Sequence, residues 1–427
     1  MTNLATAQAK DAINRHLSSN DIPHLPYPKD WIGLARQLGA EFRQQANQRD
    51  SQHARPVEQI RRLRETGLVN LFYPSEFGGG GGSVREAAWS VLEIARGDGS
   101  VGALLGFHFY NSAVPLFHDF VGHNEAIVRK AVENRWYWGN VTQYVNRDFL
   151  AEPHPEGGYV INGRKKWNTG APLAEITTVL AEHSDRTHYI YGYLPTDREG
   201  IRFEDDWKQI GLRGADSSTV VFDNVRLFAD EVIPWKHAGA QLSALPFWTT
   251  FGAVYYSAVY LGSALAALDT ARDYARNDTR QSISPGAASL AKDPLILTQY
   301  GELWIKAQAA LAYFDKTIEE LQVGWDKRAQ ISEEELGVLA AKTLALRSNS
   351  SQVALEITPK VFEFAGGRGS NQDNNFDRFW RDARTLATHD PLILSLRTVG
   401  DFALNDVAVR FPSRFQAKPE AADARKS

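Results

Sequence analysis

The stretch FDRFWRDARTLATHDP, residues 376–391, lies near the end of a long helical region and sets His389 beside an acid and two residues before a proline. Pro391 cannot continue a helix interior, and His and Asp tolerate helix ends, so one reading is a plain helix terminus. The other reading is chemical: imidazole is the side chain whose ordinary pKa lies nearest neutral pH. The rest of the chain decides between them.

Working outward, the C-terminal part carries four amphipathic patterns. Leu261, Leu265, Leu268 and Ala271 form one apolar stripe, and Ile296, Tyr300, Leu303, Leu311, Phe314, Ile318 and Leu321 form a second. EEELGVLAAKTLALRSNSSQVALEI (333–357) supplies a third, and the segment after Asp390 a fourth. Short connections between such stripes predict an antiparallel four-helix bundle over 239–415, with Pro359 kinking or breaking the third region. From 136 to 238 the texture changes to short β-branched and aromatic runs between Gly-Gly and Asn-Gly turns, as in EGGYVINGRKKW, TTVLAEHS and STVVFDNVRLF. These predict a compact antiparallel, barrel-like β domain. Residues 1–135 read as a helical domain, in which Val57, Ile60 and Leu63 recur at helical spacing and Gly67 stands where the helix should end. The last residues, 416–427, read as a disordered tail.

A chain of 427 residues exceeds one ordinary core. A net charge of −4 gives no basic field for nucleic acid or an anionic membrane. The absence of cysteine excludes disulfides, thiolate metal sites and a cysteine nucleophile. No apolar run long enough to span a bilayer and no signal-like N-terminus are evident, and a cytoplasmic protein is expected. The glycine run at 78–82 lacks a phosphate-loop ending and reads as a flexible turn. FAGGRGSNQ (364–372) follows a helix rather than a strand, which fails the dinucleotide fingerprint, although Arg368 among glycines suits a phosphate. No clustered metal ligands are apparent, and no metal is expected.

Four segments then stand in register with one family. LFYPSEFGGGGG (71–82), GGYVINGRKKWNTGA (157–171), YLGSALAALDTARDYA (260–275) and VFEFAGGRGS with FDRFWRDAR (361–384) resemble the acyl-CoA dehydrogenase superfamily over almost the whole chain. That resemblance implies a mainly α fold with a central β domain: an N-terminal helical domain, a middle antiparallel β-barrel and a C-terminal four-helix bundle, with a flavin site between the last two. The dehydrogenases abstract a proton with a glutamate after Arg-Asp-Ala. Here His389 stands in its place, and the alternative glutamate position on the first bundle helix is Gly252. Without a carboxylate base, dehydrogenation loses its chemistry.

The departures, including GFHFYNS (106–112), the aromatics before Asn140 and DDWKQIGLRGADSST (205–219), resemble the branch of flavin-dependent monooxygenases that oxidise sulfur. The resemblance implies reduced FMN, rather than FAD, supplied by a separate NAD(P)H:flavin reductase. It also implies dioxygen, a flavin C4a-hydroperoxide, a small organosulfur substrate and a homotetramer built as a dimer of dimers. It implies catalytic roles for His108, His389, Thr169 and Asn140. Cofactor contacts fall to Asn140, Thr142, Trp167, Thr169, Arg280, Arg368, Gly369 and Ser370, the Arg368 loop coming from a neighbouring subunit. A water-excluding substrate pocket falls to Phe107, Phe109, Tyr110, Trp207, Phe247 and Trp248. Two positions depart from that branch: Thr169 replaces a serine, and Leu386 replaces a further histidine. Oxygenation of an amine nitrogen or phenolic ring, dehydrogenation, and flavin binding without catalysis remain the alternatives.

Overall fold

The computed structural model describes residues 22–117, 123–143, 148–233, 245–277, 287–327 and 330–410. The N-terminal part contains helices α1 (Trp31–Gln52), α2 (Val57–Glu65), α3 (Val84–Gly97), α4 (Gly99–Ser112) and α5 (His123–Glu133). Caps written in the sequence start them. Asp30 accepts the Gly33 N–H at 2.8 Å at the start of α1, and Ser83 and Glu86 form a reciprocal capping box on α3. Gly67, at φ 74°, follows α2 in the left-handed conformation that glycine adopts without strain. The glycine run is an ordered turn rather than a flexible one. The N–H groups of Gly80, Gly81 and Gly82 donate to the carbonyls of Asn70, Tyr73 and Leu71, and a Cβ on Gly79 would lie 2.3 Å from the Tyr73 carbonyl oxygen.

Among the described residues seven strands follow: β1 (Trp138–Val141), β2 (Leu150–Pro153), β3 (Tyr159–Lys165), β4 (Ile176–His183), β5 (Tyr189–Pro195), β6 (Ile201–Phe203) and β7 (Val220–Leu227). They form one sheet in the order β1-β4-β2-β3-β7-β6, with β5 also on β4. The sheet is mixed rather than purely antiparallel, because β1 and β2 both pair parallel to β4. The β2–β3 hairpin lies between β1 and β4 in the chain, which provides the crossover length that parallel neighbours need.

The bundle comprises α6 (Leu245–Asn277), α7 (Pro294–Lys327), α8 (Glu333–Ile357), α9 (Val361–Ala365), α10 (Arg378–Leu386) and α11 (Leu392–Asn405). Pro359 breaks the third region as expected, with a 3₁₀ turn at Thr358–Lys360 separating α8 from α9. Within α6, Thr249–Asn277 is long and apolar enough to cross a membrane, which the sequence reading missed because Thr, Ser and Tyr interrupt the apolar run. Its most apolar 18-residue window is 89% buried inside the protein, as befits a bundle core helix.

One hydrophobic core runs through the N-terminal helices and the bundle, and a second fills the β domain around Phe149, Phe222 and Leu227. Polar contacts tie the parts together. Arg381 of α10 grips Asp50 of α1 with two bonds of 3.1 and 2.6 Å, and the Leu212 N–H donates to Asp382 at 2.6 Å. The second contact draws the loop before β7 against α10. A cavity opens where these elements meet.

Candidate active site

Helix α4, strand β1, the turn after β3, the loop before β7, and helices α6, α8, α10 and α11 line a cavity of about 640 Å³. That is within the usual range for small-molecule sites. Part of the wall is aromatic. Phe107 lies 6.1, 5.6 and 6.0 Å, between ring centroids, from Tyr110, Tyr256 and His389. Trp167 meets Trp207 edge-on at 5.8 Å, and the Trp207 indole N–H donates to the Leu212 carbonyl at 2.9 Å. Trp167, half-exposed, lines the cavity from a backbone at φ 67°, a conformation that costs a bulky residue energy.

Other lining residues are polar. The Thr142 hydroxyl donates to Asn140 Oδ1 at 2.6 Å. With Oδ1 engaged, the Asn140 amide N–H₂ makes no hydrogen bond among the described residues. Thr169 and Ser217 share a hydroxyl–hydroxyl bond of 2.7 Å. The Oγ1 of Thr385, also in the wall, is buried and has no partner among the described residues.

His389 is both a helix-end residue and a cavity residue. Its N–H closes the last turn onto the Leu386 carbonyl, between the end of α10 and Pro391. Its ring faces the cavity within a polar array. Nδ1 lies 3.2 Å from Asp390 Oδ2, and that same oxygen accepts Arg347 Nη1 from α8 at 2.9 Å. Arg347 also donates to the Asp390 carbonyl at 3.3 Å and lies over the Tyr256 ring, 5.3 Å from its centroid. Burial alone would raise the Asp390 pKa. The hydrogen bond and charge of His389, with Arg347, outweigh it and hold the carboxyl well below its ordinary range. Because the carboxylate can only accept, His389 Nδ1 carries a proton, and Nε2 faces the Tyr256 hydroxyl at 3.3 Å. Burial pushes the Tyr256 phenol upward, so it stays protonated and can donate to Nε2 whenever that nitrogen carries no proton.

His108 is placed elsewhere. It is fully buried and outside the cavity wall, with Nε2 2.7 Å from the Val69 carbonyl oxygen and Nδ1 accepting the Trp138 N–H at 3.1 Å. Both ring nitrogens are thus used, and burial pulls its pKa down to about 4. Of the two histidines given catalytic roles by the resemblance, His389 lines the cavity and His108 does not. The ring instead clamps β1, which carries Asn140, onto the Leu68–Asn70 turn. Phe109 likewise faces the core, against Tyr255, rather than the cavity.

The remaining expectations divide by location. Phe107, Tyr110, Asn140, Thr142, Trp167, Thr169, Trp207 and His389 all line the cavity. Arg368, Gly369 and Ser370 do not. They form an exposed 3₁₀ turn with only Gly369 buried, and the Ser370 hydroxyl is spent on the Gly367 carbonyl. Arg280 and the side chains of Phe247 and Trp248 lie outside the described residues. Sequence reasoning missed Arg347, Tyr256 and Thr385, and it gave Asp390 no role. The only available signal for Arg347 was an arginine on a helix face otherwise made of small and apolar residues.

Residues 34–119, 148–225 and 254–392 match, in order, the N-terminal, middle and C-terminal domains of acyl-CoA dehydrogenase. The chain belongs to the acyl-CoA dehydrogenase family, within the group that contains the dibenzothiophene monooxygenases. It is 33% identical to the dibenzothiophene monooxygenase of Mycolicibacterium goodii, covering 90% of this chain and 95% of that protein. It is 29% identical to a probable FMNH2-dependent monooxygenase, SfnC, of Pseudomonas putida, covering 89% of this chain and 96% of that one. Among solved structures, FMN-bound TdsC from Paenibacillus sp. A11-2 superposes with a TM-score of 0.82 at 29% identity, covering 90% of this chain and 98% of TdsC.

Proposed function

We propose that the protein is a flavin-dependent monooxygenase that uses reduced FMN and dioxygen to oxygenate an organosulfur compound. Its products would be a sulfoxide or sulfone from a sulfide or thiophene, or the cleavage products of a sulfone. One observation carries this reading. The two positions where a dehydrogenase of this family needs its carboxylate, 389 and 252, both line the cavity and hold histidine and glycine. The neighbouring Asp390 is a poor substitute, since Arg347 and His389 hold it as a weakly basic carboxylate. The site therefore favours proton delivery by His389 over removal of a carbon-bound proton.

The cavity fits a flavin ring system. It is roomier than a small sulfur compound alone requires, and its neutral hydrogen-bonding set (Asn140, Thr142, Thr169, Ser217) suits the carbonyl and nitrogen edge of such a ring. The unpartnered Thr385 hydroxyl is a buried polar atom that a bound polar group would satisfy. When bound, reduced FMN supplies the two electrons that activate O₂, one oxygen atom passing to sulfur and the other leaving as water. Asn140 and Thr169 would hold the ring edge, and Trp167 would cover it. Phe107, Tyr110, Trp207 and Tyr256 exclude water, which would otherwise divert the oxygen to peroxide. His389, fixed by Asp390 and turned toward Tyr256, would hold and deliver the proton at Nε2.

Since no dinucleotide fingerprint is present, a separate NAD(P)H:flavin reductase would deliver the reduced FMN. Exposed apolar side chains on α7 (Leu295, Leu297, Ile305) and α11 (Ile393, Leu404) support assembly with further copies. In the homotetramer read from the family, the Arg368 turn would reach a neighbour's FMN phosphate. A cytoplasmic location completes the reading. The test is to supply enzymatically reduced FMN and ¹⁸O₂ with a panel of thiophenes, sulfides, sulfones and amines, identifying products by mass spectrometry. Sulfur-bound ¹⁸O is the expected result. Labelled nitrogen or ring products, or FAD-linked desaturation of an acyl thioester, would replace the assignment.

A further inference from the structure

The sequence reading found no metal cluster, yet the fold assembles one on the β4–β5 hairpin, away from the cavity. Strands β4 and β5 pair antiparallel up to Glu182 and Tyr189, and the His183 N–H donates to the His188 carbonyl at 2.9 Å. His183 and His188 thus face each other across a four-residue connection. Their side chains project to the same side of the sheet, and the rings stack 4.5 Å apart at 21°. The connection bends through Arg186 at φ 60° and brings Asp185 back beside them. Asp185 Oδ1 lies 2.8 Å from His183 Nδ1. One donor atom from each of His183, Asp185 and His188 falls within 4.8 Å of the others.

We infer that this hairpin is a binding site for a divalent transition-metal ion, held by the two imidazoles and the carboxylate. Ligand atoms about 2.1 Å from a tetrahedral zinc stand about 3.4 Å apart, so side-chain rotation alone closes the gap. The supporting contacts that such a site needs are also present. Thr187 donates from its backbone N–H to Asp185 Oδ1 at 2.9 Å and from its hydroxyl at 2.7 Å, and that hydroxyl lies 2.8 Å from His188 Nδ1. Tyr159 packs edge-on against His183 at 6.0 Å and fixes its ring. Two nitrogens and one oxygen select Zn²⁺, Ni²⁺ or Cu²⁺ over Mg²⁺ and Ca²⁺, which prefer all-oxygen sets. With Asp185 exposed, water completes the coordination, so the site would bind an ion and staple the hairpin without taking part in the cavity chemistry.

The test uses tag-free, metal-stripped full-length protein, titrated calorimetrically with NiCl₂ and ZnCl₂ at pH 7.5. One ion per chain with micromolar affinity is expected, weakened about tenfold or more in Asp185→Asn and His188→Gln and abolished in the His183→Gln/His188→Gln double variant. MgCl₂ should give no binding, and His53→Gln, a change at an exposed histidine elsewhere, should leave the titration unaltered. Binding that survives the double variant, or that His53→Gln removes, overturns the proposal. Should the double variant fail to fold by circular dichroism, Cu²⁺ electron paramagnetic resonance of the wild-type protein decides. Superhyperfine coupling to two nitrogens supports the site, and its absence at one equivalent refutes it.

Discussion

Replacing His389 by alanine separates a structural role from a chemical one, because the two predict effects of very different size. The ring makes two long hydrogen bonds, 3.2 Å to Asp390 and 3.3 Å to Tyr256, and its side chain is 40% exposed. Each bond is therefore worth well under about 1 kcal/mol. The Arg347–Asp390 pair at 2.9 Å survives the change, so no buried charge is stranded. A total stability loss of about 1 kcal/mol follows, a fall in Tm of about 2 °C or less for a chain of this size. Removal of a proton donor at the reacting centre costs far more, about 10²–10⁴ in rate, or roughly 3–5 kcal/mol of barrier. The assay supplies reduced FMN, oxygen and a thiophene or sulfide, and measures product and hydrogen peroxide together. His389→Ala should bind FMN and unfold near the wild-type temperature. Product should fall at least about a hundredfold while peroxide rises, since oxygen still consumes the reduced flavin. Product yield near that of the wild type would show that His389 is only a helix end, and the reasoning would fail.

His108→Gln should do the opposite, lowering stability by about 1–3 kcal/mol by leaving the Val69 carbonyl or the Trp138 N–H unpaired, with the product-to-peroxide ratio kept. Burial holds the folded His108 pKa down to about 4, against about 6.5 unfolded. Its contribution is therefore full above pH 6.5 and is lost as pH falls toward 4, so the Tm gap between wild type and variant should narrow over that window. Arg347→Met removes the guanidinium that helps to keep Asp390 ionised. The Asp390 pKa should climb toward the usual carboxylate range, so the product yield of the variant should fall more than that of the wild type between about pH 5 and 3. A Cβ at Gly252 would lie 3.0 Å from a Tyr110 ring carbon. Gly252→Ala should therefore tighten the cavity, raising the substrate KM by about threefold to tenfold with kcat within about twofold, as checked by steady-state kinetics.

Local and periodic features were legible in the chain alone. Apolar stripes at helical spacing, the Asn-Gly and Gly-Gly turns and the break at Pro359 depend on neighbours within a few residues, and the elements formed where those signals lay. The histidine in place of a glutamate at 389, and the set Asn140, Trp167, Thr169 and Trp207, were readable because each stands inside a recognisable local motif. Other features rest on contacts between distant segments. His108 shares with His389 the catalytic role that the resemblance implies, yet its place on α4 turns it toward Val69 and Trp138, 39 and 30 residues away, where both nitrogens are consumed. Arg347 and Asp390 meet across 43 residues, and only the packing of α8 against the α10–α11 turn makes them one array around His389. The parallel pairing of β1 and β2 with β4 was equally hidden, since alternation within a strand does not say which strand lies beside it. The metal-ligand triad on the β4–β5 hairpin illustrates the same limit at short range. His183, Asp185 and His188 are spaced two and three apart, and only antiparallel pairing with a left-handed turn residue between them brings their donor atoms together.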